Sequence, residues 1–271
     1  MTNLGINWAL QGLNVVYITL ELNEDLVSMR MDSMFTGIPS RDIFKKIDDV
    51  ETKIKLVGKK AGAFQVKFMP SSCKNANDIR SYLKEYEIKT NRKIDAAIVD
   101  YLDLLIPTSK KIDINNQFNK DKFIAEELRN LMAEKNCIGV SASQLNRGGV
   151  QESEFDHSHI AGGISKVNTA DGVYAIYSPH QLKEKGLIQL QLTKTRNSNG
   201  EGKKIDLCYD IDTLRITDLA EDAIPTSREN MVNQIKQRAT IQPTDMPKVR
   251  AEVHSSKLKD LINNLPDQDD F

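Results

Sequence analysis

The sequence predicts an α/β protein: a mostly parallel sheet flanked by helices, with antiparallel strands at its carboxyl-terminal side. Apolar runs rich in Val, Ile and Leu recur at residues 15–20, 65–69, 96–101 and 138–143. Helical period fills the gaps between them, and this alternation buries a parallel sheet between two layers of helices. After Asp171 the rhythm changes, because runs at 173–177, 187–195, 203–209 and 213–217 follow one another without long helices between them. Such a set pairs antiparallel.

The helical segments are 25–35, 76–88 and 119–134, and in the last of these Phe123, Leu128 and Leu131 are expected to share one face. Between the second and third late strands, Arg196-Asn-Ser-Asn-Gly200 offers residues that tolerate left-handed backbone, so it reads as a hairpin turn. From residue 222 onward the chain is polar, carries Pro225, Pro243, Pro247 and Pro266, and has too little periodic apolar content to extend a core. The expected organisation is one domain over 1–221 and a flexible polar tail over 222–271. The sequence has none of the internal repetition that marks solenoids.

Hydrophobic content of 39% and charged content of 28% are ordinary for globular proteins, so a packed core is expected. No run approaches the ~18 apolar residues of a bilayer span, and the amino terminus lacks the features of a secretory signal. Cys73, Cys137 and Cys208 have no paired spacing, and the strand-like settings of the last two suggest reduced core residues. A cytoplasmic location follows as the expectation. The formal net charge of -1 argues against a uniformly basic nucleic-acid coat, yet permits a narrow basic channel assembled from several subunits.

The third apolar run ends in Asp100 and the first ends next to Glu21. In a parallel sheet the carboxyl ends of the strands form the ligand-binding edge. Two carboxylates on neighbouring strand ends can share a metal ion and an attacking water. The fourth run ends near Gln144, an amide able to donate to a phosphate and accept from a neighbour. Taken singly, each is an ordinary polar residue at a strand exit; in order and together they match what a RecA-like phosphoryl-transfer motor needs.

The same residues resemble the DnaB-like replicative DNA helicases, especially the phage branch, over roughly residues 2–219. In that family the strand ending in Leu-Glu carries the catalytic glutamate, here Glu21, with an arginine nine residues later, here Arg30. Asp-Tyr-Leu carries the magnesium-side aspartate, here Asp100, and Ser-Gln-Leu carries the γ-phosphate sensor, here Gln144. A late Lys-x-Arg pair, here Lys194 and Arg196, reaches the neighbouring subunit's ATP site. A planar guanidinium suits charge spread over phosphoryl oxygens. The resemblance implies ATP and Mg2+ as cofactors, single-stranded DNA as the track, a homo-oligomeric and typically hexameric ring, and primase, a helicase loader or a polymerase as partners. It also implies translocation toward the 3′ end.

Two departures from the family pattern stand out. Relatives open this domain with a glycine-rich phosphate loop ending Gly-Lys-Ser/Thr. Here Met1 stands at the lysine position, Thr2 at the magnesium hydroxyl, and the glycines are absent. The segment 160–171 aligns with the central-channel DNA loop, but Ala161 and Gly162 replace the Arg and Glu of some bacterial relatives. Backbone amides of Gly162 and Gly163, the Lys166 side chain and Arg147 are the expected phosphate contacts. The acidic, aromatic-ended terminus 265–271 fits a docking tail, though a charged terminus is more commonly a solubilising end. A RecA-like recombinase or repair ATPase, and a non-catalytic fragment that joins rings or docks partners, remain open as alternatives. Without the lysine and the glycine cradle, this chain alone is expected to bind ATP weakly or not at all; isothermal titration calorimetry showing tight binding would overturn that expectation.

Overall fold

A computed structural model describes residues 1–70, 73–113, 115–144, 164–197 and 199–219. The elements in chain order are α1 (Thr2–Leu10), β1 (Val15–Thr19), α2 (Glu24–Thr36), a 3-10 turn (Ser40–Lys46), α3 (Ile47–Gly58), β2 (Phe64–Phe68), α4 (Ala76–Thr90) and β3 (Ala96–Asp100). A second 3-10 turn (Leu102–Leu104), α5 (Gln117–Lys135), β4 (Ile138–Ser141), α6 (Ile164–Thr169), β5 (Gly172–Tyr177), α7 (His180–Glu184), β6 (Leu187–Thr195), β7 (Lys204–Asp210) and β8 (Arg215–Asp218) follow. The first four strands form a parallel sheet in the order β2-β1-β3-β4, and the last four an antiparallel sheet in the order β5-β6-β7-β8.

β1 is buried along its whole length, which its unbroken Val-Val-Tyr-Ile-Thr run allows on both faces. Side chains alternate across a strand. Val16, Ile18 and Leu20 therefore pack with Ala97 and Val99 against Ile79 and Leu83 of α4 and Ile124, Leu128 and Leu131 of α5. Val15 and Tyr17 pack with Ala96 and Ile98 against Ala9 of α1 and Val27 of α2 on the opposite face. Each fully buried Leu, Ile or Val side chain contributes about 1.5–3 kcal/mol, so the two helical layers hold the sheet rigid from both sides.

Local signals end the helices where the sheet needs them to end. The Asn23 side chain accepts the Leu26 N–H at 2.9 Å to start α2, and Gly37, with φ of 69°, ends it. Asn75 and Asp78 form a reciprocal capping box on α4, while Asn116 caps α5 and left-handed Asn136 terminates it. α1 rides close to the sheet because Gly5 has no side chain: a Cβ there would stand 2.6 Å from the Phe64 ring. α1 is also clamped to β8, since the Asn3 amide donates to the Leu214 carbonyl at 3.0 Å and accepts the Ile216 N–H at 3.1 Å.

Several expectations need correction. Phe123 is 39% exposed, and the buried stripe of α5 is Asp121, Ile124, Leu128 and Leu131, whose 3-4-3 spacing tracks one helical face. The Arg196–Gly200 stretch does fall in the hairpin loop between β6 and β7, whose positive φ among the described residues is at Gly202 (84°). Cys137 and Cys208 are free but half-buried rather than core residues, and burial pushes both thiols up. Residues 40–58 form the first 3-10 turn and α3, and of α3's residues only Val50 is buried. The carboxyl-terminal tail lies outside the described residues. Among the described residues no helix is long and apolar enough to cross a membrane.

Gly62 donates its N–H to the Ala9 carbonyl at 2.8 Å, and a Cβ built on it would lie 2.1 Å from the Leu13 carbonyl oxygen. Because that neighbour is backbone, Gly62→Ala is expected to lower stability by about 1–3 kcal/mol, read as a shifted denaturant midpoint. Glu24 opens α2 and accepts the Phe68 N–H at 2.8 Å and the Lys67 ammonium at 3.2 Å. The Phe68 bond, ahead of Lys67, holds its carboxyl below the ordinary glutamate value. A depressed carboxyl adds stability that is present above the unfolded-state pKa and lost as pH falls through the folded one. Thermal melts from about pH 6 to about pH 3 should therefore lose less stability in Glu24→Gln than in the unsubstituted chain.

Candidate active site

The parallel register sets the geometry. Thr19 of β1 is the direct partner of Asp100 of β3, and the ladder continues one step further, with the Leu20 N–H donating to the Asp100 carbonyl at 2.8 Å. Glu21 is the next residue, exposed at the tip. Its turn is built by Thr19, whose buried hydroxyl donates to the Leu22 carbonyl at 2.8 Å and accepts the Leu22 N–H at 3.0 Å. Glu21 and Asp100 thus occupy neighbouring strand tips on one edge, with adjacent strands about 4.8 Å apart.

Asp100 accepts a hydrogen bond from the Tyr17 hydroxyl. Burial, then that bond and the Asp100 charge, push the Tyr17 phenol far up; the Thr2 hydroxyl and the Arg30 guanidinium act in the opposite direction on the same phenol. Thr2, Arg30 and Asp100 therefore all lie within electrostatic reach of the Tyr17 hydroxyl. The α-amino group of Met1 is lowered by burial and raised by Asp100.

Gln144 lies three residues past the end of β4, a strand shorter by two residues than the apolar run suggests. Its side-chain amide donates to the Tyr101 hydroxyl at 2.8 Å, and its backbone N–H donates to Asp103 at 3.3 Å. Burial, followed by Glu21, Asp103 and Asp100, pushes the Tyr101 phenol up. Tyr101 is thus the hinge pin between the two acids and the amide. The peptide bond that joins it to Asp100 is cis. Sequence reasoning missed the parts played by Tyr17, Tyr101 and Asp103. For Tyr101 and Asp103 the signal lay in the motif itself, where an aromatic and a second acid follow the strand-end aspartate.

Lys194 and Arg196 stand on β6 of the antiparallel sheet and just beyond its end, apart from the edge that carries the acids. The Lys194 ammonium donates to the Val167 and Asn168 carbonyls at 2.6 and 3.1 Å, and burial, followed by Arg196, lowers it. Arg196 pairs with Asp171 at 2.6 Å and reaches the Asn168 carbonyl at 3.4 Å. Arg129 meets the other Asp171 oxygen at 2.8 Å and the Thr169 carbonyl at 2.7 Å. Cations on the last carbonyls of a helix are favourable, so α6 serves as the rest for this basic pair.

The expectation for Lys166 is corrected. Its side chain does not present itself to solvent for a phosphate: the residue is 7% exposed and its ammonium lies 2.5 Å from Asp103, 2.8 Å from Asp121 and 3.0 Å from the Ser143 hydroxyl. Two carboxylates hold it inward. Arg147, Gly162 and Gly163 lie outside the described residues.

The described residues fit the magnesium and water half of a nucleotide site, because a carboxylate for the cation (Asp100) and a second for the water (Glu21) share one strand edge, and the Thr2 hydroxyl acts on the same Tyr17 phenol that donates to Asp100. A family model described as DnaB-like helicase C terminal domain matches residues 1–218. A DnaB-like replicative helicase of Enterobacteria phage T4 is 26% identical over 272 residues, covering 98% of this chain and 56% of that protein. A probable plasmid replicative DNA helicase of Chlamydia psittaci is 31% identical over 148 residues, covering 51% of this chain and 29% of that protein. The chain thus spans little more than half the length of the phage relative. Among solved structures, a DnaB-like replicative helicase studied for its interactions with primase superposes with a TM-score of 0.66 at 16% identity, over 81% of this chain and 54% of that one. A second solved structure, of an isolated ATPase domain, superposes with a TM-score of 0.64 at 17% identity, over 81% of this chain and 80% of that one. These likenesses show a RecA-like fold, and the family match places the chain in the DnaB-like helicase C-terminal domain family.

Proposed function

We propose that this chain is the motor domain of a replicative DNA helicase, which hydrolyses ATP to translocate on single-stranded DNA and unwind duplex at a fork. The observation that carries the reading is the Thr19 to Asp100 register, which brings Glu21 and Asp100 together on one strand edge. Magnesium ATP, when bound, supplies the activated γ-phosphoryl group and the cation that neutralises its charge. Asp100 and the Thr2 hydroxyl would hold the cation. Glu21 orients the attacking water and takes its proton. Gln144, held against Tyr101 at 2.8 Å, reads the γ-phosphate. Lys194 and Arg196 serve the site of the neighbouring subunit, consistent with their place on the second sheet. Hydrolysis therefore requires two subunits, and a homo-oligomeric ring, hexameric by family likeness, satisfies that need.

The phosphate loop is the part that Met1 and Thr2 do not supply, so turnover is tested in the chain extended by a family phosphate loop ahead of Thr2. Arg147 and the amides of Gly162 and Gly163 are the candidate DNA contacts, and primase, a loader or a polymerase, through the acidic tail, are candidate partners in the host cytoplasm. In the extended protein Glu21→Gln should cut DNA-stimulated turnover by about 10²–10⁴-fold while leaving ATP affinity unchanged. Subunits carrying Glu21→Gln mixed with subunits carrying Arg196→Ala should regain turnover, because mixed interfaces join an intact glutamate to an intact arginine. Full turnover in Glu21→Gln alone, or no recovery on mixing, would remove the respective residue from its role.

A further inference from the structure

The cluster around Lys166 lies outside the roles assigned above, yet it touches the residue assigned to read the γ-phosphate. The Lys166 ammonium has three donors. It donates to Asp103 at 2.5 Å and to the Ser143 hydroxyl at 3.0 Å, and forms an ion pair with the buried Asp121 Oδ2 at 2.8 Å that lacks hydrogen-bond geometry. Ser143 donates in turn to Asp103 at 3.0 Å, and the next residue, Gln144, donates its backbone N–H to the same carboxylate at 3.3 Å. Asp121, fully buried on α5, accepts the Gln117 amide at 2.7 Å and anchors the far side of the cluster.

Gln144 is consequently gripped twice. Its backbone is held by Asp103 and its side-chain amide by the Tyr101 hydroxyl, and both holders lie on the short segment that leaves Asp100. A buried ammonium between two carboxylates is an inefficient source of stability, since an apolar trio of similar volume fills such space at less desolvation cost. What it does provide is direction: the pair of carboxylates has one low-energy arrangement around the cation. In its absence, Asp103 and the buried Asp121 lose the cation that orients them toward each other.

We infer that Lys166 is a positioning residue for ATP hydrolysis, fixing Asp103 and Ser143 so that the Gln144 amide is presented to the γ-phosphate. The inference rests on the proposed role of Gln144. It acts through that residue and makes no contact with nucleotide itself. Lys166 also sits on α6, whose last carbonyls receive Lys194 and Arg196, so the element that steadies one subunit's sensor also seats the cations offered to the next.

The test is made in the loop-extended protein, with ATP, magnesium and single-stranded DNA. Lys166→Met combined with Asp121→Asn removes the cation without stranding a buried charge. It is expected to lower kcat roughly tenfold or more, as sub-ångström to ångström misplacement does, with KM for ATP within about threefold of the unsubstituted value. Asp121→Asn alone is the control. The discriminating readout is a cycle with Gln144→Ala: the combined variant should turn over no more slowly than Gln144→Ala alone, whereas penalties that multiply would show that Lys166 acts elsewhere and overturn the inference. If the double variant fails to fold, Asp103→Asn, at a partly exposed site, must show the same non-additivity with Gln144→Ala. Unchanged kcat in the Lys166 variant while Gln144→Ala is inactive would sink the positioning role and leave the proposed function standing. Unchanged kcat in Gln144→Ala would sink the sensor role, and the inference with it.

Discussion

β1 and β3 lie side by side, parallel and in a register that pairs Val15 with Ala96 and Thr19 with Asp100. Both strands are apolar on both faces, so each is clamped between helical layers. A slip of one residue would exchange the sets facing α4 and α5 for those facing α1 and α2, and the packing of Ile18, Leu20, Ile79 and Leu83 forbids that exchange. The consequence reaches the tips. Where the burial ends, the next polar side chains emerge at fixed neighbouring positions, and these are Glu21 and Asp100. Loops that bear chemistry on a rigid scaffold need no ordering of their own. Here the scaffold extends one hydrogen bond beyond the strands, through Leu20, before the exposed glutamate begins.

The two charged clusters that meet at α6 differ in strength for the same physical reason. Asp171 bridges Arg129 and Arg196, but all three side chains are exposed, and exposed ion pairs contribute about 0–1 kcal/mol. Arg196 can leave such a seat at little cost when a more negative partner is offered. The Lys166 cluster is interior, where breaking a pair by removing one partner costs about 3–5 kcal/mol. One side of the helix is therefore a fixed anchor on the segment around Gln144 and its carboxyl end a releasable cradle for the arginine. A basic pair proposed to serve a different subunit would need that contrast.

The parallel strands were legible because apolar runs ended by polar residues leave a strong local pattern, and each fell within two residues of its expected end. The late antiparallel set was legible from the absence of long helices between apolar runs. What escaped notice was decided by distant partners. Phe123 is apolar and helical, yet the stripe that meets the core runs through Asp121, an acid that no hydrophobic pattern would place inside. Lys166 in a glycine-rich stretch reads as a solvated charge until Asp103, 63 residues earlier, is brought within 2.5 Å. The Asn3 clamp on β8 spans 211 and 213 residues and has no local signature at all. In the site, the acids and the amide were readable from strand ends, while the hydrogen bonds of Tyr17 to Asp100 and of Tyr101 to Gln144 depend on neighbouring strands and left no local signal.

The burial of Lys166 also changes how a protein of net charge -1 would hold a polyanion. A ring of convergent lysines at that position would have supplied a strong, salt-sensitive attraction. With those ammonium groups committed to interior carboxylates, the proposed track must be held by fewer cations, through Arg147, or by backbone N–H groups at Gly162 and Gly163. Backbone donors bind phosphate without adding formal charge and without preference for base. A motor that advances along DNA must release each phosphate as readily as it takes the next. Neutral donors repeated around the proposed ring would serve that requirement better than a dense belt of lysines.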